Sequence, residues 1–305
     1  MCGPLKYRRQ YSARVSLKVV AGSASRALGK ALASALRADT VDVAFEKHPG
    51  GFPDDERYIR LEGDVAGEDI LLVQSTHPDE KIVELMLLQD ALADERARHV
   101  SLVIPYFGYG RQDKKFSAGE PISARALARR IQVGADDVYT VSAHEPGILR
   151  FFDIPARDVS GIPAIARHLK GSAIDVVLAP DANARRFAQE LADSLGAKWD
   201  YLEKKRIDSF TVEVEPKSVR VQGLRVAIVD DVISTGTSIA TAARMVREQG
   251  ASHVVAACVH GLFVGESMKR LSGCDEVVAT DTVESLATRV SVAPEVAASL
   301  RRPTG

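Results

Sequence analysis

Cysteine is scarce, net charge is nearly absent, and no hydrophobic stretch is long. The three cysteines, Cys2, Cys258 and Cys274, fall at no metal-binding spacing. An odd number cannot all close into disulfides, so a reducing, cytoplasmic setting is expected. No run approaches the roughly 18 apolar residues that a membrane helix needs, so neither a span nor a membrane partner is expected. The start, Met-Cys-Gly-Pro-Leu-Lys-Tyr-Arg-Arg-Gln, lacks the apolar centre of a secretory signal and reads as a basic leader before a first strand. A formal net charge of -1 gives no field to hold a long polyanion. That excludes a nucleic-acid surface and leaves the basic residues to act in local clusters.

What is present is an ordinary globular composition with one unusual stretch. The chain has 305 residues, 46% of them hydrophobic and 27% charged, enough for one large domain or two of medium size. The unusual stretch runs from Arg225 to Ala243. Val226 to Val229 are four apolar residues, too short for a helix and dense in β-branching, and they read as a buried strand. Asp230 and Asp231 come immediately after. Ser234-Thr235-Gly236-Thr237-Ser238 then forms a turn before an alanine-rich helix reaching about Gln249. Two readings stand. In one, a helix capped by Ser234 or Thr235 simply succeeds a core strand. In the other, the turn and the helix start form an anion site, with Gly236 allowing close backbone approach. Two adjacent carboxylates at a strand end are costly without a partner, and sugar hydroxyls or a bridging divalent cation would supply one. A phosphorylated ribose has both the phosphate and the hydroxyls.

The order of elements places this stretch. A strand at about Ser16–Ala21 precedes a helix over Ser23–Ala38 with Ser23 or Ser25 as cap. Val41 to Lys47 alternate, Pro49 to Glu56 break the pattern, and Tyr58 to Leu61 resume a strand. Ile70–Val73 is a buried strand, Asp79–Arg98 a helix with Ile82, Leu85, Met86 and Leu92 inward, and Val100–Pro105 another strand. The second half repeats the layout: a strand near Ala197–Leu202, the strand 226–229, a helix from Ser234, and a strand over His253–Val259. The fold class expected is α/β, with two similar doubly wound domains and mainly parallel sheets. The division should fall near Pro155 to Pro163, separating 1–158 from 159–305. Ligands of such sheets gather at the carboxyl ends of the strands.

The Arg225–Ala243 stretch resembles the loop that binds phosphoribosyl diphosphate in phosphoribosyltransferases and in ribose-phosphate diphosphokinases (phosphoribosyl-diphosphate synthetases). The resemblance implies a type I phosphoribosyltransferase-like fold. It also implies that Asp230 and Asp231 hold the ribose hydroxyls, and that Ser234, Thr235, Gly236, Thr237 and Ser238 hold the 5-phosphate. Thr237 then needs an ordinary backbone angle where glycine often stands. Pro105-Tyr-Phe-Gly-Tyr-Gly-Arg-Gln-Asp-Lys114 is similar to the diphosphokinase signature alone. There Arg111, Gln112 and Asp113 would bind ATP, and the glycine-flanked loop after them would move over substrate.

The same resemblance has further implications. Phe52-Pro-Asp-Asp-Glu56 matches the adenine-binding stretch, with Phe52 stacking on the base and Asp54, Asp55 and Glu56 around it, often in a neighbouring subunit. His144 and Asp181, each at a strand end, match the Mg²⁺ ligands. Relatives carry an acid where Ser142 stands, so His144 is expected to lack a carboxylate partner. Lys204 and Arg206 match the catalytic cations, and Arg206 also faces ribose 5-phosphate. The sequence is thus identified as similar to the ribose-phosphate diphosphokinases, nearest their short archaeal-like branch, with ATP and ribose 5-phosphate as substrates, Mg²⁺ as cofactor and a homo-oligomer of two or more subunits. A phosphoribosyltransferase would lack the ATP loop. A non-catalytic regulatory homologue would have lost motif residues, whereas Lys204, Arg206, His144 and Asp181 are all present.

Overall fold

The computed structural model describes residues 16–45, 54, 56–206, 212–216 and 220–301, with backbone alone for 203–206 and 212–216. The first half runs β1 (Leu17–Ala21), α1 (Arg26–Leu36), β2 (Asp39–Val41), β3 (Val43–Ala44), β4 (Arg60–Leu61), β5 (Asp69–Val73), α2 (Glu80–Asp94), β6 (His99–Ile104), α3 (Ser123–Ile131), β7 (Asp137–Val141) and β8 (Ala156–Val159). The second runs α4 (Ile162–Leu169), β9 (Val176–Ala179), α5 (Arg185–Leu195), β10 (Lys198–Arg206), β11 (Val212–Pro216), β12 (Arg225–Ile233), α6 (Thr237–Glu248), β13 (His253–Gly261), α7 (Ser267–Arg270), β14 (Glu276–Thr280), β15 (Thr288–Val290) and α8 (Ala293–Leu300). The expected α/β class with two mainly parallel sheets is what forms. Among the described residues a six-stranded sheet has order β2-β1-β5-β6-β7-β8, and a seven-stranded sheet has order β11-β10-β9-β12-β13-β14-β15. All pairings within these sheets are parallel except β10 with β11.

Strand periodicity decides what each face buries. In β5, Leu71 and Val73 point to one core while Ile70 and Leu72 point to another; Val177 parts from Val176 and Leu178 in the same way in β9. The outer face of the first sheet packs on α2 and α3 through Leu85, Leu88, Leu92, Leu127 and Ile131. The outer face of the second packs on α6. The two inner faces share one core with α1, α4, α5 and α8, joining Val19, Leu28 and Val103 to Ile165, Leu191, Val229, Val259 and Val296. The carboxyl ends of β6, β7, β9 and β12 thus open onto a common cleft.

Several sequence expectations change in detail. Ser25 is the N-cap residue of α1 as expected, but no side chain bonds the first N–H groups of the helix. Ser23 Oγ donates to Glu84 at 2.6 Å, and Ser25 Oγ accepts the Ser75 N–H at 3.0 Å. Helix α2 carries apolar residues on more than one face, so Met86 and Val83 stay exposed while one stripe packs. The alternating stretch from Val41 splits between the first sheet and a short ribbon with β4. Strand β12 continues through both acids, because pairing Asp230 with Cys258 and Val232 with His260 overrides the low strand propensity of aspartate. Strand β10 likewise continues to Arg206 by pairing with β11, so Lys204 and Arg206 lie within a strand and not after it. Among the described residues no helix is long and apolar enough to cross a membrane.

Gly161 marks how closely the layers meet. A Cβ there would lie 2.7 Å from Val259 Cγ1 and 3.4 Å from Val141 Cγ1, one valine from each sheet. Valine is stiff about χ1 and cannot yield cheaply. Gly161→Ala is therefore expected to lower stability by about 1–3 kcal/mol, seen as a lower urea midpoint with an unchanged slope. An unchanged midpoint would mean that the two sheets are loosely joined there.

Candidate functional site

The cleft between the sheets has a volume of about 250 Å³, and its walls come from both halves of the chain. Arg111 lies beyond β6, His144 and Glu145 beyond β7, Asp181 and Asn183 beyond β9, and residues 230–239 complete β12 and open α6. Arg111, His144, Asp181, Asp230, Asp231 and Ser234 to Ser238 are each expected from sequence at a ligand site, and one cavity collects them.

The turn after β12 is shaped by its backbone. Gly236 is the N-cap of α6 with φ of 75°, in the left-handed region, and no side chain caps the helix. Neither Ser234 nor Thr235 plays that role, which leaves the first N–H groups of α6 open toward the cleft. A Cβ at Gly236 would come within 3.4 Å of Leu271 Cγ and the Ser267 carbonyl, so the segment behind the loop sets its depth. Arg270 Nη1 donates to Thr235 O at 2.9 Å and Val264 N–H donates to Ser234 O at 3.0 Å. Thr237 is absent from the residues with positive φ, so its ordinary backbone angle is met. Thr235, Thr237 and Ser238 are exposed hydroxyls around this turn.

The two aspartates have different surroundings. Asp231 is 3% exposed, and its Oδ2 lies 2.6 Å from His144 Nδ1. A carboxylate accepts, so Nδ1–H donates and His144 keeps Nε2 as its second nitrogen. Burial works to raise the Asp231 carboxyl, but the hydrogen bond and charge of His144 outweigh it and hold the group at about 2. The same hydrogen bond raises His144 above its usual value against the effect of burial. Asp230 accepts the Asp231 N–H at 2.9 Å. Burial, and then the neighbouring Asp231 charge, push its carboxyl well above the usual carboxylate range. His144 therefore does have a carboxylate partner, contrary to expectation. It comes from the other sheet, while the Ser142 hydroxyl accepts the Gly161 N–H at 2.9 Å.

Hard-cation donors are present in small number. Asp181 Oδ1 accepts N–H groups of Asn183 at 2.8 Å and Ala184 at 3.4 Å, which orients the carboxylate at the cleft wall. Among the described residues no group of three or more metal-ligating side chains forms. Mg²⁺ is commonly held by one or two protein groups together with substrate phosphates and water, and His144 with Asp181 fits that pattern.

Other expected residues stand apart. Gln112 is hydrogen-bonded to Ser123 Oγ, and Asp113 is half-buried beside it; neither lines the cleft. Asp54 and Glu56 are exposed outside it, while Phe52 and Asp55 lie outside the described residues. Lys204 and Arg206 are described by backbone only, paired with Val214 and Val212.

Sequence reasoning left out the groups that tie the halves together. Arg186 Nη2 donates to Ala143 O at 2.7 Å and His144 O at 2.8 Å. His260 is buried, and burial pushes it down to about 4, hence neutral. Its Nε2 lies 3.3 Å from Ser142 O, and Tyr106 packs on its ring at 4.9 Å. Ser75 Oγ donates to Thr282 O at 2.9 Å. Of these, Ser75 and Thr282 lie just past strand ends, whereas Arg186 lies in α5 and His260 within β13, where sequence position gives no signal.

Comparison with known proteins agrees with this geometry. A family model described as the N-terminal domain of ribose phosphate pyrophosphokinase matches residues 17–134, and one described as a phosphoribosyl transferase domain matches 157–292. A ribose-phosphate pyrophosphokinase of Methanopyrus kandleri is 39% identical over 295 residues, covering 94% of this chain and 99% of that protein. One from Methanothermobacter thermautotrophicus is 39% identical over 284 residues, covering 92% and 98%. The crystal structure of phosphoribosylpyrophosphate synthetase from Mycobacterium smegmatis has a TM-score of 0.78 at 29% identity, covering 94% of this chain and 98% of that one.

The His144–Asp231 pair predicts a definite pH behaviour. With its folded value raised, His144 contributes stability that is complete below 6.5 and lost as pH rises through the folded value. With its folded value depressed, Asp231 contributes stability present above 3.8 and lost as pH falls through about 2. In metal-free protein, NMR titration should place the His144 midpoint above 6.5, and Asp231→Asn should lower it. A wild-type midpoint at or below that value would mean the pair does not form in solution.

Proposed function

The chain belongs to the ribose-phosphate pyrophosphokinase family, and on that premise we propose how its cleft carries out the reaction of the family. The enzyme transfers the diphosphoryl group of ATP to ribose 5-phosphate, giving phosphoribosyl diphosphate and AMP. The carrying observation is that Arg111 of the first half and residues 230–238 of the second line one cleft with His144 and Asp181. A polyphosphate grip and a sugar-phosphate cradle then share one cavity.

In this reading the 5-phosphate rests on the open N–H groups of α6 and the hydroxyls of Ser234, Thr235, Thr237 and Ser238. Asp230 and Asp231 hold the ribose hydroxyls, and Asp230, whose carboxyl favours the protonated state, can both donate and accept there. Arg111 grips the ATP phosphates bidentately, with Gln112 and Asp113 behind it. The Phe52–Glu56 stretch, including Asp54 and Asp55, takes adenine. The 1-hydroxyl oxygen of ribose 5-phosphate forms a bond to the β-phosphorus, the bridge to the α-phosphate breaks, AMP leaves with the bridging oxygen, and the hydroxyl proton passes to water. Lys204 and Arg206 neutralise charge on the transferred group, and Arg206 also faces the sugar phosphate. Mg²⁺, held by His144 Nε2 and Asp181, would supply charge neutralisation on the phosphates. Such transfers are catalysed chiefly by positioning and electrostatics. The first 158 residues then serve ATP and the rest serve ribose 5-phosphate. A homo-oligomer in the cytoplasm completes the picture, with adenine contacts drawn from a neighbouring subunit.

Product analysis tests this directly. With ribose 5-phosphate, Mg²⁺ and ATP, AMP should appear one-for-one with phosphoribosyl diphosphate; ADP as the main product would show attack on the γ-phosphorus. Arg111→Ala should lose AMP production yet still bind ribose 5-phosphate. Lys204→Ala or Arg206→Ala should each lower turnover by on the order of 10²–10³ with folding intact. Near-normal turnover in either would remove that residue from the mechanism.

A further inference from the structure

Residues 142–144 link β7 to the cleft without belonging to a helix or strand, so their backbone groups need partners from elsewhere. They have them from three elements, β8, β13 and α5. The Ser142 N–H donates to Val159 O at 2.9 Å, and the Ser142 carbonyl meets His260 Nε2 at 3.3 Å. The Ala143 N–H donates to Asp158 Oδ1 at 2.9 Å, an oxygen that Thr140 Oγ1 also approaches at 2.7 Å. The next two carbonyls, those of Ala143 and His144, both accept from Arg186 Nη2, at 2.7 and 2.8 Å. Asp231 then takes His144 Nδ1–H.

Arg186 is the one charged donor in this set. It stands in the first turn of α5, in the half of the chain opposite to His144, with its guanidinium carbon 4.4 Å from the Phe187 ring centroid. The arginine is half-buried and is not among the residues lining the cleft, so it does not reach substrate itself. A single nitrogen shared by two successive carbonyls fixes the peptide between them. That peptide sets the direction in which the His144 side chain leaves the backbone. Asp231 fixes the ring about its own axis; Arg186 fixes where the ring starts.

We propose that Arg186 is a positioning residue for the reaction: by clamping the Ala143 and His144 carbonyls from the second half of the chain, it aims His144 Nε2 at the metal-bearing phosphates. The inference rests on the reading of His144 as a cleft donor. It makes the donor's aim depend on α5, and so on the two halves being correctly docked.

The test uses Arg186→Gln and His144→Ala, singly and together, in the full chain. Turnover and the KM for ribose 5-phosphate are measured, and the His144 ring is monitored by NMR in metal-free protein and during addition of Mn²⁺. Arg186→Gln is expected to shift the His144 resonances before any metal is added. It should raise the Mn²⁺ concentration that broadens them by about 10- to 100-fold, as loss of an outer hydrogen-bond partner does. Turnover should fall while the KM for ribose 5-phosphate holds, since the Arg186 hydrogen bonds go to Ala143 and His144 and not to the 234–238 loop. In the His144→Ala background the same substitution should add little. Arg186→Lys should recover part of both signals, and it carries the same readouts if Arg186→Gln fails to fold. Full additivity of the two substitutions, or an unmoved His144 signal, overturns the inference while leaving the role of His144 intact. Normal turnover in His144→Ala would overturn that role, and the inference with it.

Discussion

Two sheets that bury their inner faces against the same four helices cannot slide past one another without opening a shared core. Val19 and Leu28 on one side and Val229 and Val259 on the other belong to a single apolar cluster. Burial of this kind is worth about 25 cal/mol per Å² of apolar surface, and it has no preferred direction. It holds the halves together but does not align them to the roughly 0.5 Å that a catalytic constellation needs. Alignment falls to polar groups at the edge of the core, where geometry is strict.

Those groups lie where strand ends of the two sheets meet. The His144–Asp231 hydrogen bond, the Arg186 clamp, the neutral His260 and the Ser75–Thr282 contact each join one half to the other. A neutral imidazole suits the buried position, since charging it there would cost solvation that no partner returns. Asp231 can stay ionised in nearly complete burial because His144 is within 2.6 Å. Asp230 lacks such a partner and shifts toward its neutral form. The adjacent carboxylates thus differ in charge state although both line the cleft.

Much of this was legible in the sequence, for a physical reason. Strand ends of parallel sheets carry ligand groups, so Arg111, His144, Asp181 and the Asp230–Ser238 turn could be found by locating apolar runs and inspecting the residues just beyond them. The α/β class emerged from the same alternation. Contacts that depend on docking could not be read that way. Nothing local to Ser142 says that the carboxylate for His144 will come from Asp231 in the other sheet, and nothing local to α5 says that Arg186 will turn toward β7 instead of water. Of the two readings of the start of α6, the capped helix is the one that fails: a hydroxyl at a helix start ordinarily caps, while here Gly236 takes the left-handed angle and leaves the N–H groups uncovered. Strand β12 outruns its expected length because aspartate disfavours strands unless a neighbour such as β13 is already in place.

Helix α8 carries a consequence for how the chain comes into being. Val296 and Ala297 share a core with Leu28 and Leu32 of α1, and Arg301 Nη2 donates to the Ala35 carbonyl at 2.6 Å. The last helix described therefore covers the first. During synthesis, where domains generally fold as they emerge, the early strands can pair and α2 and α3 can cover their outer face. One flank of α1 nonetheless stays bare until residue 300 has left the ribosome. The nascent first half carries an uncovered apolar surface for the whole time that the second half is being made. Delays late in translation are then a risk to its beginning.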